Sequence, residues 1–138
     1  MPDATVFSLA PIGFIQSSLK SRREAPKQGN EGAPEAWLEI VPEVVSGLEG
    51  IFSGQEVVLI TWLHQARRDV LRVHPRSARN LPLAGVFATR SPDRPNPLGL
   101  HRVTVMEIVG NRLRVKPLEA IDGTPVVDIK PVLSKADR

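Results

Sequence analysis

The 138-residue sequence contains no cysteine. That absence excludes disulfide bonds, thiol nucleophiles and thiolate metal sites, and it is typical of proteins that work in a reducing compartment. No apolar run approaches the length of a membrane span, and the first eleven residues lack the basic and apolar regions of a signal peptide. We therefore expect a cytoplasmic protein with no membrane partner.

Several catalytic motifs are also missing. The three histidines, at positions 64, 74 and 101, have no close spacing to a second histidine or a carboxylate of the zinc-hydrolase kind, so no metal site is expected. The sequence has no Gly-x-Ser-x-Gly elbow, no Walker phosphate loop and no glycine-rich turn between a strand and a helix. These absences argue against serine hydrolases, P-loop enzymes and Rossmann-type dehydrogenases.

Acidic residues are scarce in one part of the chain, which a net charge of only +3 conceals. Residues 31–56 carry six glutamates and no cation, a formal charge of −6, whereas residues 67–102 carry eight arginines and two aspartates, a formal charge of +6. Arginine is suited to bidentate contacts with phosphate or carboxylate groups. The basic segment therefore favours an anionic partner such as RNA, although the two segments could instead pair with each other in the fold.

Short apolar or alternating segments, separated by glycine and proline, make up most of the chain. They predict strands at residues 11–16, 36–41, 56–63, 70–74, 86–88, 102–109, 112–116 and 126–129. The run 56–63 is so continuously apolar that we expect it to be buried on both faces. One short helix is predicted over residues 42–48, with a buried stripe of Val44, Val45 and Leu48. The pattern indicates a mainly β fold with one short helix, either a small antiparallel barrel or a strongly curved sheet.

The stretch from 85 to 100, GVFATRSPDRPNPLGL, changes character after its first apolar residues. Its three prolines fix φ and remove backbone donors, so neither a helix nor a central strand continues through it. We expect a stiff loop that presents Arg90, Arg94 and Asn96 at fixed angles, and such a loop loses little entropy when it binds a ligand. The alternative is a proline-rich connection bridged by arginine–aspartate pairs.

Two other places carry polar side chains that suit a binding site. His64 and Gln65 follow the longest apolar run, where both could face a cavity mouth or where the histidine could be a core residue. The segment from 122 to 131, DGTPVVDIKP, begins with a tight turn and places Asp128 and Lys130 on one strand face. The alternative for these two residues is a surface ion pair worth under about 1 kcal/mol.

The segment 85–100 resembles the signature of the TsaA-like (TrmO) family, and 122–131 is similar to that family's second signature. The resemblance covers nearly the whole chain, with Pro26-Lys27-Gln28 similar to a Pro-Arg-Gln triplet and Trp62-Leu63-His64 similar to the end of a buried strand. The family contains S-adenosylmethionine-dependent methyltransferases that act on the threonylcarbamoyl-adenosine beside the tRNA anticodon. The resemblance implies this activity, N6-methylation, for a single TsaA-like domain over residues 1–138 without an additional C-terminal domain.

The resemblance also implies site residues. The family's pocket for S-adenosylmethionine lies on a small β-barrel, across or beside a dimer interface, and its counterpart here comprises Pro26, Lys27, Gln28, His64, Gln65, Arg90, Leu100, Leu118 and Glu119. Asp122 would be the catalytic carboxylate near the sulfonium. Substrate-binding candidates are Arg94, Asn96, Asp128 and Lys130, and Arg90 or Arg94 would clamp the carboxylate of threonylcarbamoyl-adenosine bidentately. The expected partners are S-adenosylmethionine, tRNA and a second copy of the chain.

Two other functions are compatible with the same residues. The chain could be a non-catalytic barrel that binds S-adenosylmethionine or RNA, or a methyltransferase for another small substrate. Glu119 stands where the family commonly has Asp, and Val132 stands where it often has Tyr, so details of the pocket differ. Methyl transfer from a sulfonium to a nitrogen requires alignment and desolvation rather than a strong protein nucleophile.

Overall fold

A closed antiparallel barrel of six strands forms the body of the protein, in a computed structural model that describes residues 5–21, 34–75 and 80–133. The barrel strands are β1 (Gly13–Gln16), β2 (Ala36–Ile40), β3 (Glu56–Trp62), β6 (Leu98–Val109), β7 (Arg112–Lys116) and β8 (Pro125–Pro131). Around the barrel they follow the order β1-β2-β7-β6-β3-β8, and neighbouring strands are antiparallel. A separate two-stranded sheet pairs β4 (Arg72–Val73) with β5 (Ala84–Gly85). The predicted mainly β barrel is confirmed.

Alternation along the strands places one set of side chains inside the barrel. In β7, Leu113 and Val115 are buried, while the cations on either side of them are half-exposed. β3 follows the same rule, since Val57, Leu59 and Thr61 are buried and the residues between them are only half-buried. The prediction that this run is buried on both faces is wrong, because a strand of a closed barrel has only one face toward the interior.

A bulge in β8 changes which of its residues face the interior. The pairing with β3 moves from Ile60 opposite Asp128 to Thr61 opposite Val126, so Val127 is an extra residue. Val126 is buried, whereas Val127 and Asp128 are both half-exposed. Such a bulge bends its strand and redirects side chains, and bulges are common at the rims of barrels.

The helix predicted after the second strand is present as a 3₁₀ helix, Pro42–Leu48. Its predicted buried stripe is wrong, because Val44 and Val45 are exposed and only Leu48 packs against the barrel core. Val44 has non-helical backbone angles, φ −123° and ψ 15°, and this kink prevents the three side chains from sharing one face. None of the helices in the described part of the chain is long and apolar enough to cross a membrane.

A second 3₁₀ turn, Val86–Ala88, lies where the sequence predicted a strand, so that prediction is wrong. The backbone oxygen of Val86 accepts hydrogen bonds from the N–H and the hydroxyl of Thr89, both at 3.0 Å, and these bonds close the turn. β4 is shorter than the predicted segment 70–74. β6 is longer than predicted, because it begins at Leu98 inside the proline-rich segment.

Candidate functional site

A cleft of about 210 Å³ opens at the end of the barrel where β3 ends and β8 begins. Its lining residues are Leu63, His64, Gln65, Ala66, Pro92, Glu119, Ala120, Ile121 and Thr124. Three predicted cofactor residues, His64, Gln65 and Glu119, therefore come together in one place. Sequence reasoning missed the apolar walls, although residues 120 and 121 directly follow Glu119 and Pro92 belongs to the proline-rich signature.

Glu119 is the acidic residue of this cleft. Its Oε2 atom is buried and has no hydrogen-bond partner among the described residues. Leaving a buried polar atom unpaired costs about 1–3 kcal/mol, and more when the group is charged. No described residue donates to this atom, and a molecule bound in the cleft with an amino or hydroxyl group would supply a donor.

The wall formed by residues 63–66 is fixed immediately after β3. The Leu63 N–H donates to the carbonyl of Pro97 at 2.8 Å, and the Ala66 N–H donates to the carbonyl of Leu63 at 3.0 Å. The chain therefore turns as soon as it leaves the strand, and His64 and Gln65 are exposed at the rim of the cleft. The alternative of a core position for His64 is excluded.

A buried polar pair lies beneath that wall. The hydroxyl of Thr61, a fully buried residue, is 2.9 Å from Nε2 of His101. Burial lowers the pKa of His101, so its imidazole is neutral at neutral pH. A Cβ atom at Gly99 would be 2.6 Å from the Thr61 hydroxyl and 3.1 Å from a methyl carbon of Leu63. The missing side chain at Gly99 is therefore what lets this pair pack under the cleft.

Arg94 holds the proline-rich loop from within. Its Nη1 atom donates hydrogen bonds to the backbone oxygens of Thr89 at 3.1 Å and Ser91 at 2.9 Å. Arg90 is exposed and makes no hydrogen bond or ion pair with other described residues. Of the two arginines predicted to clamp a substrate carboxylate, Arg90 is the one whose guanidinium is not already used within the described structure.

A larger groove of about 690 Å³ lies on the outer face of the barrel, along residues adjacent to those of the cleft. It is bordered by residues of the segment 5–11 and by Trp62 and Leu98, which pair across β3 and β6. The guanidinium carbon of Arg68 lies 5.1 Å from the centre of the Trp62 ring, and its Nη2 donates to Oδ1 of Asn96 at 3.0 Å. Asn96, a predicted substrate-binding residue, therefore lies at the rim of this groove with its side-chain oxygen hydrogen-bonded to Arg68.

Asp122 is not among the residues that line the cleft. Its Oδ1 accepts a hydrogen bond from the Ser17 N–H at 2.9 Å, and its Oδ2 accepts one from Nζ of Lys20 at 3.2 Å. The Ser17 amide, followed by Lys20, lowers the pKa of the Asp122 carboxyl. The predicted catalytic carboxylate therefore holds two chain segments together, in a turn where Gly123 adopts a φ of 85°.

The remaining predicted site residues lie away from the cleft lining. Leu118 is buried in the barrel core, and Leu100 is exposed on the outer face of β6. Asp128 and Lys130 form an ion pair on β8, with 3.5 Å between Oδ2 and Nζ. This is the surface ion pair that the sequence offered as the alternative to a substrate-binding role. Residues 26–28, the predicted Pro-Lys-Gln contact to the cofactor, lie outside the described residues.

The arginines between 67 and 102 are mostly engaged within the described part of the chain. Arg67 makes a bidentate contact with Asp69, with both N–O distances at 3.0 Å, and Arg102 pairs with Glu56 at 3.1 Å. Positions 76 and 79 lie outside the described residues. Among the six described arginines of this segment, those whose side chains make no hydrogen bond or ion pair with described residues are Arg72 and Arg90.

Comparison with known proteins adds a family and relatives to this geometry. The family model described as the tRNA-methyltransferase O N-terminal domain matches residues 14–138. A probable S-adenosyl-L-methionine-binding protein of Methanothermobacter thermautotrophicus is 43% identical over 129 residues, which are 94% of this chain and 92% of that protein. An S-adenosyl-L-methionine-binding protein of Archaeoglobus fulgidus is 42% identical over 122 residues, which are 88% of this chain and 86% of that protein.

A solved structure is similar in fold and in sequence. The crystal structure of TrmO from Pseudomonas aeruginosa superposes with a TM-score of 0.75 at 34% identity. The match covers 96% of this chain and 58% of that one. This chain therefore spans less than two thirds of the length of that relative.

Proposed function

Because the chain belongs to the family of tRNA-methyltransferase O N-terminal domains, we propose that it is an S-adenosylmethionine-dependent methyltransferase whose cofactor binds in the cleft at the end of the barrel. The family description supports the reaction class, and the names of the two relatives support the cofactor. The grouping of His64, Gln65 and Glu119 around one cleft supports the location.

The observation that carries this proposal is the buried Oε2 atom of Glu119, which has no hydrogen-bond partner in the part of the chain that the structure describes. S-adenosylmethionine has an ammonium group, two ribose hydroxyls and an adenine amino group, each of which can donate a hydrogen bond to a carboxylate. The positive sulfonium is also attracted by an acidic residue such as Glu119 in the lining of the cleft. The residues of the cleft therefore fit this cofactor.

The described cleft accommodates only part of such a molecule. Its volume of about 210 Å³ is below the roughly 300–1,000 Å³ of most small-molecule pockets. We assign the remaining contacts to residues 26–28, which the sequence resemblance places in the same pocket. Arg90, which is exposed in the neighbouring proline-rich loop, is assigned to the methyl acceptor instead. Leu118 supports the neighbouring Glu119 from the core rather than touching the cofactor.

Alignment and exclusion of water are the tasks that this chain's residues perform. When bound, S-adenosylmethionine supplies a methyl group: the carbon–sulfur bond breaks as a carbon–nitrogen bond forms, the sulfur keeps the electron pair, and the acceptor nitrogen releases a proton to water. Leu63, Pro92 and Ile121 give the cleft apolar walls, and Glu119 orients the cofactor by accepting its hydrogen bond. Arg90 binds an anionic group of the acceptor.

We assign the methyl acceptor to tRNA, at N6 of the threonylcarbamoyl-adenosine next to the anticodon. The tRNA named in the family description supports this substrate. The carboxylate of that nucleoside requires a cation, and Arg90 supplies one while Arg94 is bound to the loop backbone. A tRNA substrate would also place the reaction in the cytoplasm, as the sequence predicts.

Titration calorimetry with S-adenosylmethionine tests the cofactor site. Glu119→Ala should weaken binding roughly ten- to a hundredfold, since a hydrogen bond to a charged group contributes about 1.5–3 kcal/mol. Its melting temperature should not fall, because Oε2 bonds to none of the described residues. Glu56→Ala removes an exposed acid paired with Arg102 and is the matched control, with unchanged affinity expected.

Methyl transfer distinguishes the enzyme from the two alternatives. An enzyme of this kind transfers labelled methyl groups to tRNA that carries threonylcarbamoyl-adenosine and ignores the unmodified transcript. Binding of both S-adenosylmethionine and tRNA without transfer would favour a non-catalytic barrel. Cofactor binding without any tRNA binding would favour a small-molecule acceptor. A wild-type protein that does not bind S-adenosylmethionine at millimolar concentration contradicts every methyltransferase reading.

We propose further that the protein is a homodimer joined through the groove on the outer face of the barrel. Val6 and Phe7, which border this groove, are 85% and 84% exposed. Leu98 adds a third exposed apolar side chain to the same surface. Contiguous apolar surface of this kind is a common mark of a protein–protein interface, and a two-fold contact would bury the same groove on both copies.

A further inference from the structure

Four hydrogen bonds join residues 17–20 to the turn that contains Asp122. Two of them use the Asp122 carboxylate, which accepts the Ser17 N–H at 2.9 Å and Nζ of Lys20 at 3.2 Å. The third runs from the Asp122 N–H to the carbonyl of Leu19 at 2.6 Å, and the fourth from the Ser17 hydroxyl to the carbonyl of Ala120 at 2.6 Å. The two segments therefore hold each other through backbone and side-chain atoms at once.

The turn held in this way leads directly into one wall of the cofactor cleft. Glu119, Ala120 and Ile121 line the cleft, and each lies within three residues of Asp122. On the far side of the turn, the hydroxyl of Thr124 donates to the carbonyl of Ile121 at 2.6 Å. The conformation of this wall is thus fixed on one side by the anchored segment 17–20 and on the other by Thr124.

A proton-transfer role does not fit the position of Asp122. Both carboxylate oxygens already accept hydrogen bonds, and the side chain is not part of the cleft lining. The same donors lower its pKa, whereas an efficient general base has a pKa near the working pH.

We propose that Asp122 is a positioning residue, which fixes residues 119–121 in the wall of the cofactor cleft by tying this segment to residues 17–20. Through that wall it sets the direction in which the carboxylate of Glu119 faces the ligand. The inference rests on the proposed cofactor site and concerns how that site is kept in shape before the ligand arrives.

Two substitutions at Asp122 should differ in their effect. In Asp122→Asn the amide oxygen still accepts the Ser17 N–H bond, so the Kd for S-adenosylmethionine should rise by no more than about threefold. In Asp122→Ala the acceptor is lost and the Kd should rise about tenfold, while kcat at saturating cofactor stays within about threefold of the wild type. Glu56→Ala removes a surface ion pair with an N–O distance of 3.1 Å and should change neither quantity.

Other outcomes overturn the proposal. A catalytic Asp122 would lower kcat by about a hundredfold or more in both variants without a comparable change in Kd. A purely structural Asp122 would lower the melting temperature of Asp122→Ala and leave Kd unchanged at temperatures where the variant is folded. An unchanged Kd in Asp122→Ala, with a wild-type protein that binds the cofactor, contradicts this inference alone.

Amide hydrogen exchange without cofactor tests the anchoring separately from the proposed function. Asp122→Ala should speed exchange of the Ser17 amide by about tenfold or more, and Asp122→Asn should change it much less, because exchange rates follow the free energy of local opening. Unchanged exchange in the alanine variant would overturn the anchoring whether or not the protein binds S-adenosylmethionine. Faster exchange with no cofactor binding by the wild type would uphold the anchor and reject its role in a cofactor site.

Discussion

Replacing Gly99 with alanine should destabilise the barrel by about 2–4 kcal/mol. A Cβ atom at this position would lie 2.6 Å from Oγ1 of Thr61, 2.9 Å from Nε2 of His101 and 3.1 Å from Cδ2 of Leu63. Real Cβ atoms are essentially never found as close to another atom as the first two of these distances. Thr61 is fully buried in β3, which pairs with both β6 and β8, so its side chain cannot move away from the new methyl group into solvent.

Two costs contribute to this magnitude. Overpacking a well-filled interior costs about 1–3 kcal/mol. If the new methyl group also separates Thr61 from His101, two buried polar atoms lose the hydrogen bond that now spans 2.9 Å, which costs about 1–3 kcal/mol more. Partial relaxation of the Leu63 side chain should keep the total below the sum of the two upper values.

Urea denaturation monitored by circular dichroism measures the free energy of unfolding of each variant. Gly47→Ala is the matched control, because nothing lies within 4 Å of a Cβ atom there, and its unfolding free energy should change by less than about 0.5 kcal/mol or rise slightly. Adding Thr61→Ala to Gly99→Ala removes the closest contact, so the double variant should lose at least about 1 kcal/mol less than the two single losses combined. A Gly99→Ala protein within about 0.5 kcal/mol of wild type would refute the packing argument.

Three further predictions concern protonation, the two loop arginines and assembly. Burial holds the pKa of His101 below its usual 6.5, so the unfolded chain binds a proton at this histidine before the folded protein does as the pH falls. The free energy of unfolding should therefore decrease below about pH 6.5. Urea titrations between about pH 5 and 7.5 should show this decrease in the wild type and not in His101→Gln. Arg90→Ala should raise KM for the tRNA substrate roughly tenfold at an unchanged melting temperature, whereas Arg94→Ala should lower the melting temperature because it frees two backbone oxygens. Phe7→Asp should convert a dimer into a 15.1 kDa monomer by light scattering, and a wild-type monomer at micromolar concentration would contradict the dimer.

The barrel was predictable where the deciding information is local. In residues 112–116 cations alternate with Leu113 and Val115, and that alternation alone separates an inner from an outer face. The apolar tripeptide 86–88 carries an equally strong strand signal, yet it forms a turn. The ladder with β4 ends at the bond from the Val86 N–H to the carbonyl of Leu71, and Thr89 then bonds back to Val86. Pairing partners decide such cases, and the sequence of the segment itself does not contain them.

The site was predictable only in part for a similar reason. The resemblance identified His64, Gln65 and Glu119, which the structure places around one cleft. It could not identify the partner of Asp122, because the amide that binds this carboxylate belongs to Ser17, 105 positions away in the sequence. The sequence around Gly99 did not show that glycine is required there, since the side chains that exclude a methyl group belong to Thr61 of β3, to Leu63 just after β3 and to His101 of β6.

The bulge at Val127 lets β8 carry one residue more than its partner β3 while the side chains on both sides of the bulge stay in register. Residues two apart in a regular strand face the same side, yet Val126 faces the core and Asp128 faces outward because one extra residue lies between their partners on β3. Deleting Val127 would make Val126 and Asp128 consecutive, opposite Thr61 and Ile60, so both side chains would keep their present faces and only the bend at the bulge would be lost. The pairing of β8 with β3 should therefore survive the loss of its bulged residue, whereas the curvature of the barrel at this place should change.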